Sequence, residues 1–407
     1  MKERKKILIS SFSFAPNHGS ESELSWRFVE RLKKEYRVLV CADVSYREFV
    51  SQALEEELLL QGVELKFFGF RGWRAQLASV GSLRRIYYYL WQKALPGWVA
   101  RDCDLTSIDL VHHVSWATFT SPSFLWKLGK PFFFGPVGGG ETFPWAFVKS
   151  FRLRTQLYEL VRILRIKFSK FQPHVKSCLN HADLVWCANL ETLAQCRAIT
   201  PGSDLRLKSQ VSVPDSSIAE RVVAHEEFII VTAARLIPVK RVDLIIKGFL
   251  AAQELRGKLV IVGDGEESAS LQTLVEGTSS PHREVILKGW LEREELLKEL
   301  KQASLFAFAS LHDSASFAVL EAMSMGLPVV CLKFGGPAFL VGGDAGTCLS
   351  VKNDDEAIAK FADSFTDYYR EREKLATQSL VALARAEKFS ANSSWIEFSE
   401  AYQDFLK

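Results

Sequence analysis

Short apolar runs alternate with longer segments of helical period along this chain, and the series occurs twice. Parallel strands joined by helical crossovers produce such a pattern. The predicted strands are KKILIS, YRVLVCA, VELKFF, DLVHHV and KPFFFGPV, followed after residue 200 by FIIVTAA, KLVIVGDG, EVILKGW, SLFAFAS and LPVVCL. The sequence therefore predicts two doubly wound α/β domains, with ligands at the carboxyl ends of their strands.

The length of 407 residues suits two such domains. The polar stretch 202–226 contains Pro214 and predicts the connection between them. We therefore expect an N-terminal domain over 1–205 and a C-terminal domain over 206–392. The last helical stretch, 393–407, is expected to pack back on the first domain.

The composition excludes several classes of protein. Hydrophobic residues make up 48% and charged residues 24%, which excludes a disordered or coiled-coil chain. The seven cysteines include no C-x-x-C pair, which argues against a zinc site and indicates reduced thiols. No apolar run approaches the roughly 20 residues needed to span a bilayer. MKERKKILIS is interpreted as a first strand rather than a signal peptide, so we expect a cytoplasmic protein.

Two cations follow the first strand of the second series. In TAARLIPVKRVDLIIKGF, Arg235 and Lys240 lie in the loop before the next helix. Cations at this point suit a diphosphate, because they neutralise its charge and hold it as a leaving group. The alternative is a solvated basic loop.

Two glycine-containing turns follow the next strands. Gly263 to Gly265 form a G-D-G turn that allows close approach to the backbone, although a plain strand-to-helix turn also explains it. It is not a G-x-G-x-x-G dinucleotide fingerprint. At Trp290 and Leu291, main-chain groups could read a base edge while an apolar side chain covers its face. A core tryptophan is the alternative.

Two acids flank a predicted helix start in SLHDSASFAVLEAMSMGLPVV. If Ser316 and Phe317 form the start of the helix, their free amides can receive hydroxyl or phosphate oxygens. Asp313 would then lie beside a sugar, and Glu321 would accept hydrogen bonds from ribose hydroxyls.

The segment 228–350 resembles the nucleotide-binding domain of family-4 glycosyltransferases, which are retaining enzymes of the GT-B fold. That family has an Arg and a Lys five apart, a G-D-G turn, and E-x7-E leading into E-A-M-x-x-G-x-P-V. The resemblance implies two Rossmann-like domains facing across a cleft, a nucleotide sugar as co-substrate, no other cofactor and no metal. It also implies that Arg235 and Lys240 bind the diphosphate, Asp313 the transferred sugar and Glu321 the ribose. Asp313 replaces the usual Glu, and Ala234 the usual Gly, which leaves the donor sugar open.

The first half resembles the family less closely. Gly19 occupies the place of a glycine-rich loop near the donor phosphates. DLVHHV is similar to the family's D-x-x-H-x-H, whose second histidine lines the reaction centre. The residues in register here are His112 and Val114, and His113 is offset by one. Adjacent strand residues face opposite ways, so either His112 or His113 is expected to reach the cleft, unless the histidine has a core role.

The sequence GPVGGGETFPW contains three consecutive glycines, including Gly139 and Gly140, before Glu141. Such a loop favours close approach of another group, because glycine is costly to order in a plain turn. We expect it on the acceptor side. Glu141 is interpreted either as orienting an acceptor hydroxyl or as an exposed loop acid.

Two basic segments, 71–101 and 149–176, contain interleaved aromatic or apolar residues. Such segments suit the surface of an anionic membrane, with Arg84, Arg85 and Arg162 among the expected contacts, together with Arg165. Core packing or nucleic acid would also explain parts of the pattern. We favour peripheral membrane contact at the cytosolic face and expect no nucleic-acid partner.

The sequence thus predicts a retaining glycosyltransferase that moves a sugar from a nucleotide-sugar donor to a glycan or lipid-linked acceptor. One alternative is a metal-dependent enzyme that uses the D-x-D string Asp102-Cys103-Asp104. Another is a catalytically weak or inactive nucleotide-binding scaffold of the same fold, which Asp313 and Val114 make conceivable. The missing dinucleotide fingerprint argues against an oxidoreductase.

Overall fold

The computed structural model of the chain describes residues 4–16, 18–55, 62–81, 83–116, 118–219, 227–276 and 282–407. Part of the predicted interdomain connection, residues 220–226, lies outside these ranges. In the described part of the chain, the strands form two separate parallel sheets. The two-domain α/β prediction is therefore confirmed.

The first sheet has the strand order β3-β2-β1-β4-β5-β6-β7. Its strands are β1 (Lys6–Ser10), β2 (Arg37–Asp43), β3 (Val63–Phe68), β4 (Leu110–His113), β5 (Phe132–Val137), β6 (Leu184–Cys187) and β7 (Leu205–Leu207). The helices are α1 (Ser20–Leu32), α2 (Arg47–Glu55), α3 (Trp73–Ser79), α4 (Arg84–Asp102), α5 (Trp145–Val148), α6 (Leu153–Phe168), α7 (Pro173–His181) and α8 (Leu190–Ile199). The order reverses at β1, which is the position where ligands bind in doubly wound sheets.

The second sheet has the order β10-β9-β8-β11-β12-β13. Its strands are β8 (Ile229–Ala233), β9 (Gly257–Val262), β10 (Arg283–Gly289), β11 (Leu305–Phe308), β12 (Val329–Leu332) and β13 (Gly346–Leu349). The helices are α9 (Val242–Ala251), α10 (Ser268–Glu276), α11 (Arg293–Gln302), α12 (Phe317–Ser324), α13 (Gly335–Val341), α14 (Asp354–Arg370), α15 (Arg372–Lys388) and α16 (Ala391–Phe405).

All ten predicted strands are present, and the structure adds β6, β7 and β13. These three strands have three or four residues each. The sequences of β7 (LRL) and β13 (GTCL) contain too few apolar residues to indicate a strand by themselves. In the sheet β6 pairs with β5, β7 with β6, and β13 with β12.

Helices cover both faces of each sheet, as buried parallel strands require. Two segments cross between the domains. Trp395, Phe398 and Tyr402 of α16 belong to the core on one face of the first sheet. Conversely, Phe147 and Phe151, which follow β5, are buried in the core of the second sheet. Each domain core thus includes side chains from a segment that crosses over from the other domain, and these contacts hold the two domains side by side around a cleft.

Candidate active site

A cavity of about 630 Å³ lies between the two domains. Its walls come from both domains and from the connection at Gln210 and Val211. The N-terminal domain contributes Glu21, Leu24, Arg154, Thr155, Tyr158 and Glu159, and the C-terminal domain contributes Arg235, Ile237, Pro238, Val239, Lys240, Glu266, His312, Asp313, Ser314, Ala315 and Phe317. Loops at the carboxyl ends of the strands thus supply much of the lining, including the cations and Asp313 predicted from the sequence.

Lys240 and Asp313 meet in this cavity. Lys240 Nζ lies 2.6 Å from Asp313 Oδ2 and also lies over the ring of Phe308. Burial raises the pKa of the Asp313 carboxyl, and the Lys240 ammonium opposes that effect. Arg235 is exposed on the same wall, and its side chain has no hydrogen-bond or ion-pair partner in the described part of the chain. One cation is therefore paired with an acid and the other remains free to bind an anion.

The neighbouring cation, Arg241, has a structural role. Its buried guanidinium forms ion pairs with Asp243 and Asp354, with nitrogen–oxygen distances of 2.9 and 2.7 Å. Its backbone adopts a left-handed φ of 45° immediately before α9. This anchoring turns the loop so that Lys240, rather than Arg241, faces the cleft.

Helix α12 begins at Phe317, as predicted. The Ser316 hydroxyl caps it by accepting a hydrogen bond from the Val319 amide at 3.4 Å. Phe317 lines the cleft. Glu321 is largely buried, and one of its oxygens accepts a hydrogen bond from Arg293 Nε at 2.9 Å. Burial raises the pKa of Glu321, whereas Arg293 lowers it. Nothing in the sequence pattern indicated Arg293.

The glycines of the G-D-G turn pack against the loop that carries Arg235. A Cβ on Gly263 would lie 1.9 Å from the Ala234 carbonyl oxygen, and one on Gly265 would lie 2.4 Å from that of Leu236. These two glycines therefore allow a close approach, but the group that approaches them is the backbone of the neighbouring loop. Main-chain bonds from Leu236 and Glu267 tie the two loops together.

Trp290 is 69% exposed, so the alternative of a core tryptophan is wrong. Leu291 packs partly against the core of the second domain. Neither residue lines the cleft cavity of about 630 Å³. A role for this strand end in binding the nucleotide base stays a prediction.

The triple-glycine loop approaches the C-terminal domain. A Cβ on Gly138 would lie 2.1 Å from Ser314 Oγ. The Gly139 amide donates to Ser314 Oγ at 3.1 Å, and the Gly140 amide donates to Thr192 Oγ1 at 3.1 Å. The glycines therefore allow a tight contact between the domains next to Asp313. Contact with an acceptor stays a prediction.

Glu141 is only 2% exposed, which rules out the alternative of an exposed loop acid. Its Oε1 accepts hydrogen bonds from the Gly139 amide at 3.2 Å and from Asn189 Nδ2 at 2.5 Å. The carboxylate also raises the pKa of Asp313. These contacts order the loop beside Asp313, and Glu141 does not line the cleft cavities of the described residues.

The expectation that one histidine of β4 reaches the cleft is wrong, because both are fully buried. His112 donates from Nε2 to the Gly135 carbonyl at 2.7 Å and accepts at Nδ1 from the Tyr402 hydroxyl at 2.5 Å. His113 hydrogen-bonds to the Tyr88 hydroxyl on the other face of the sheet. Burial lowers the pKa of each histidine to about 3. Helices cover both faces here, so neither direction leads to the cleft.

Gly19 precedes α1 with a left-handed φ of 82°, and a Cβ there would meet open space. Two residues later, Glu21 lines both the main cavity and an adjoining one of about 360 Å³. The Glu21 side chain is exposed to the cleft, where desolvation between the cleft walls raises its pKa, an effect that the nearby Arg84 opposes. The sequence interpretation missed Glu21. Its position two residues after Gly19, in the turn from β1 into α1, could have indicated that it lies at the cleft.

The D-x-D string has a local role. Asp104 accepts hydrogen bonds from the amide and hydroxyl of Thr106 at 3.0 and 2.6 Å. Asp102, the last residue of α4, pairs with Arg101. Neither acid belongs to the residues that line the cleft. The two acids end a helix and start a turn, as such residues commonly do.

Two Rossmann-like parallel domains facing a cleft define the GT-B fold of glycosyltransferases. The lipopolysaccharide outer core galactosyltransferase WaaB, in its apo form, matches with a TM-score of 0.66 at 16% identity, covering 98% of this chain and 99% of that chain. Anabaena HepE in complex with UDP-glucose matches with a TM-score of 0.57 at 15% identity, covering 98% and 99%.

Residues 215–379 match the family described as glycosyl transferases group 1. N-acetyl-alpha-D-glucosaminyl L-malate synthase of Bacillus anthracis is 26% identical over 191 residues, which are 46% of this chain and 48% of the relative. The aligned segment thus spans about half the length of that protein. The match of residues 215–379 includes Arg235, Lys240, Asp313 and Glu321.

Proposed function

We propose that this protein is a retaining glycosyltransferase that moves a sugar from a nucleotide-sugar donor to an acceptor in the cleft. The observation that carries the proposal is the meeting of Arg235, Lys240 and Asp313 on one wall of the cavity, beside the start of α12. Two cations and free helix amides suit a diphosphate, and a carboxylate suits sugar hydroxyls.

In the proposed reaction, the donor diphosphate draws Lys240 away from Asp313, and Asp313 accepts hydrogen bonds from the transferred sugar. The second oxygen of Glu321 has no hydrogen-bond partner among the described residues and is available to a ribose hydroxyl. The bond from the anomeric carbon to the phosphate oxygen breaks as Arg235 and Lys240 stabilise the leaving charge. The acceptor oxygen bonds on the same face and gives its proton to the diphosphate.

The names of similar proteins support a hexose donor carried by a nucleoside diphosphate. HepE was solved with UDP-glucose, and WaaB is a galactosyltransferase. The relative from Bacillus anthracis is named for an N-acetylglucosaminyl product. Asp313 is shorter than the Glu usual at this position, which favours a change in how the sugar hydroxyls are held.

Thermal-shift measurements with UDP, GDP, ADP and their sugars test the donor assignment. We expect one nucleotide class to raise the Tm of the wild-type chain and to raise that of Lys240→Ala much less. The bound nucleotide sugar should then be hydrolysed slowly, with retention at the anomeric carbon in the first-formed sugar. Binding without turnover would favour the inactive GT-B scaffold, and no binding by any nucleotide would contradict both.

We propose in addition that α6 brings the enzyme to a membrane that carries a lipid-linked acceptor. This helix buries its ionic residues Glu159 and Arg162 and exposes most of its apolar residues, although Ile166 is buried. The exposed apolar residues are Leu153, Leu157, Tyr158, Leu160, Val161, Leu164, Phe168 and, just beyond the helix, Phe171. Arg154 and Tyr158 also line the cleft, so an acceptor could pass from a bilayer along α6 into the cavity. Such an apolar patch indicates an interaction site.

The basic residues expected at the membrane are only partly on this surface. Arg162 is 6% exposed and pairs with Glu159, and Arg84 and Arg165 are half-buried. Arg85 alone of the four is exposed. The expected membrane contact of Arg162 is wrong, because its buried guanidinium forms an ion pair with Glu159 inside the protein. The exposed cations within or next to the patch in sequence are Arg152, Arg154, Lys167, Lys170 and Lys176.

No helix in the described ranges is long and apolar enough to cross a membrane. Flotation with anionic liposomes tests peripheral contact. We expect the wild-type chain to float and a variant with Leu157→Ser, Val161→Ser and Leu164→Ser to stay behind. Leu380→Ser, which changes an equally exposed leucine on α15, is the control. If the wild-type protein does not float with these liposomes even at low salt, the proposed membrane contact is contradicted.

A further inference from the structure

Arg84, the first residue of α4, is a half-buried cation with no ion-pair partner in the described part of the chain. Its Nη2 donates a hydrogen bond to the Tyr46 hydroxyl at 3.2 Å. Its guanidinium carbon lies 5.3 Å from the centroid of the Trp116 ring. Tyr46 follows β2 and Trp116 follows β4, so Arg84 lies near the carboxyl ends of strands in the first sheet.

The aromatic groups around Arg84 are themselves held in place. The Tyr46 hydroxyl donates to Ser13 Oγ at 3.1 Å. Trp116 packs against the rings of Phe12 and Tyr88, each at a centroid distance of 5.0 Å. These neighbours orient the guanidinium without neutralising it, because a hydroxyl and an aromatic face carry no full charge.

Among the described residues, the nearest carboxylates, Glu21 and Asp43, attract Arg84 electrostatically but form no ion pair with it. Both carboxylate oxygens of Asp43 already accept hydrogen bonds, one from Ser45 and the other, at 2.7 Å, from the Tyr87 hydroxyl. Glu21 is close enough for Arg84 to lower its pKa, but the two form no ion pair. A guanidinium has five N–H donors, and among the residues that the structure describes Arg84 makes one hydrogen bond, to a neutral hydroxyl.

Trp116 adopts a left-handed φ of 51°, which is strained for a bulky residue. Tyr88 and the Thr118 amide both donate to its carbonyl oxygen, at 3.2 and 2.9 Å, and hold this conformation. Backbone strain of this kind clusters at functional sites. Here it places the indole ring against Arg84.

We propose that Arg84 binds an anionic group, a phosphate or a carboxylate, on the acceptor. The inference rests on the proposed glycosyl transfer and adds the chemical class of its acceptor. Arg235 and Lys240 serve the donor from the C-terminal domain, whereas Arg84 belongs to the opposite domain. Arg84 lies close to the cleft cavity, because Glu21 is near Arg84 and also lines the cavity that contains Lys240. A planar guanidinium suits phosphate and carboxylate oxygens in pairs.

Inorganic phosphate serves as the probe, titrated calorimetrically into the full chain with the donor site saturated by the nucleoside diphosphate that binds best. We expect Arg84→Gln to weaken phosphate binding by about tenfold or more, as the loss of a charge-assisted contact implies. Arg85→Gln, an exposed neighbour, is the matched control and should bind phosphate like the wild type. Arg84→Lys keeps the charge and should bind with intermediate affinity. Circular dichroism checks that each variant is folded.

Equal phosphate binding by Arg84→Gln and the wild type would overturn the inference. Weaker nucleoside diphosphate binding by Arg84→Gln would also overturn it, since Arg84 would then belong to the donor site. If no nucleotide binds the wild type, the proposed glycosyl transfer fails instead, and the phosphate titration still reports whether Arg84 holds an anion. The two failures are therefore separate observations.

Discussion

Glu159 of α6 and His312, the residue before Asp313, meet between the two domains, with Glu159 Oε1 3.2 Å from His312 Nε2. The other oxygen of Glu159 accepts a hydrogen bond from Arg162 Nε at 2.7 Å. Arg162 in turn donates to the Glu141 carbonyl oxygen at 2.6 Å. The helix with the exposed apolar face is thus connected through buried polar groups to the loop of Asp313.

Glu159→Gln should destabilise the protein, because it leaves Arg162 buried without a negative partner. Breaking a buried ion pair costs about 3–5 kcal/mol. Urea unfolding at neutral pH measures the change. Glu254→Gln, at an exposed ion pair with Arg370, is the control and should cost about 1 kcal/mol or less.

The destabilisation caused by Glu159→Gln is also expected to depend on pH. Burial would raise the pKa of Glu159, but its contacts with His312 and Arg162 hold that pKa below its ordinary value. A depressed carboxyl pKa contributes stability above the unfolded-state pKa, and that contribution is lost as pH falls through the folded-state value. The difference between wild type and Glu159→Gln should therefore shrink below about pH 4. A constant difference down to pH 3 would contradict this assignment.

Arg235→Ala and Lys240→Ala should each lower kcat by on the order of a hundredfold, because each removes charge that stabilises the leaving diphosphate. Steady-state kinetics at saturating donor measures the effect, and urea unfolding should show nearly unchanged stability for Arg235→Ala, whose side chain is exposed. Lys247→Ala removes a cation of α9 that pairs with Asp243 and should leave kcat unchanged. Wild-type turnover in either active-site variant would disprove the diphosphate assignment.

Turnover should survive a chelator, because Arg235 and Lys240 place positive charge at the proposed diphosphate site. The measurement compares initial rates with and without EDTA, after prior dialysis against the chelator. Loss of activity in EDTA that Mn²⁺ or Mg²⁺ restores would favour the metal-dependent alternative.

His112 and His113 should stay neutral in the folded protein from pH 8 to pH 5, because burial lowers the pKa of each to about 3. Their ring proton shifts in NMR spectra should not change over that range. The unfolded chain binds these protons first, so stability should fall as pH drops below about 6.5. A ring that titrates near pH 6 in the folded state would show that it reaches water.

Local sequence patterns were sufficient to predict several residues of the C-terminal wall of the cleft. A strand followed by a loop with two cations placed Arg235 and Lys240 correctly at the cleft wall. The cap pattern predicted the start of α12 at Phe317, because capping depends on residues within one turn. The loop after β11 brought Asp313 to the same wall because carboxyl ends of parallel strands share one edge.

Contacts between distant segments decided the rest. His112 is buried because Tyr402, 290 residues later, packs on its strand, and Glu141 is buried because Asn189 and the loop of Ser314 close over it. The sequence by itself determined the two α/β domains and the cations after β8, since strand periodicity and loop position are local properties. Only the tertiary structure decided which acids and histidines face the cleft and that α6 turns its apolar side outward, because burial depends on which remote segments cover a surface.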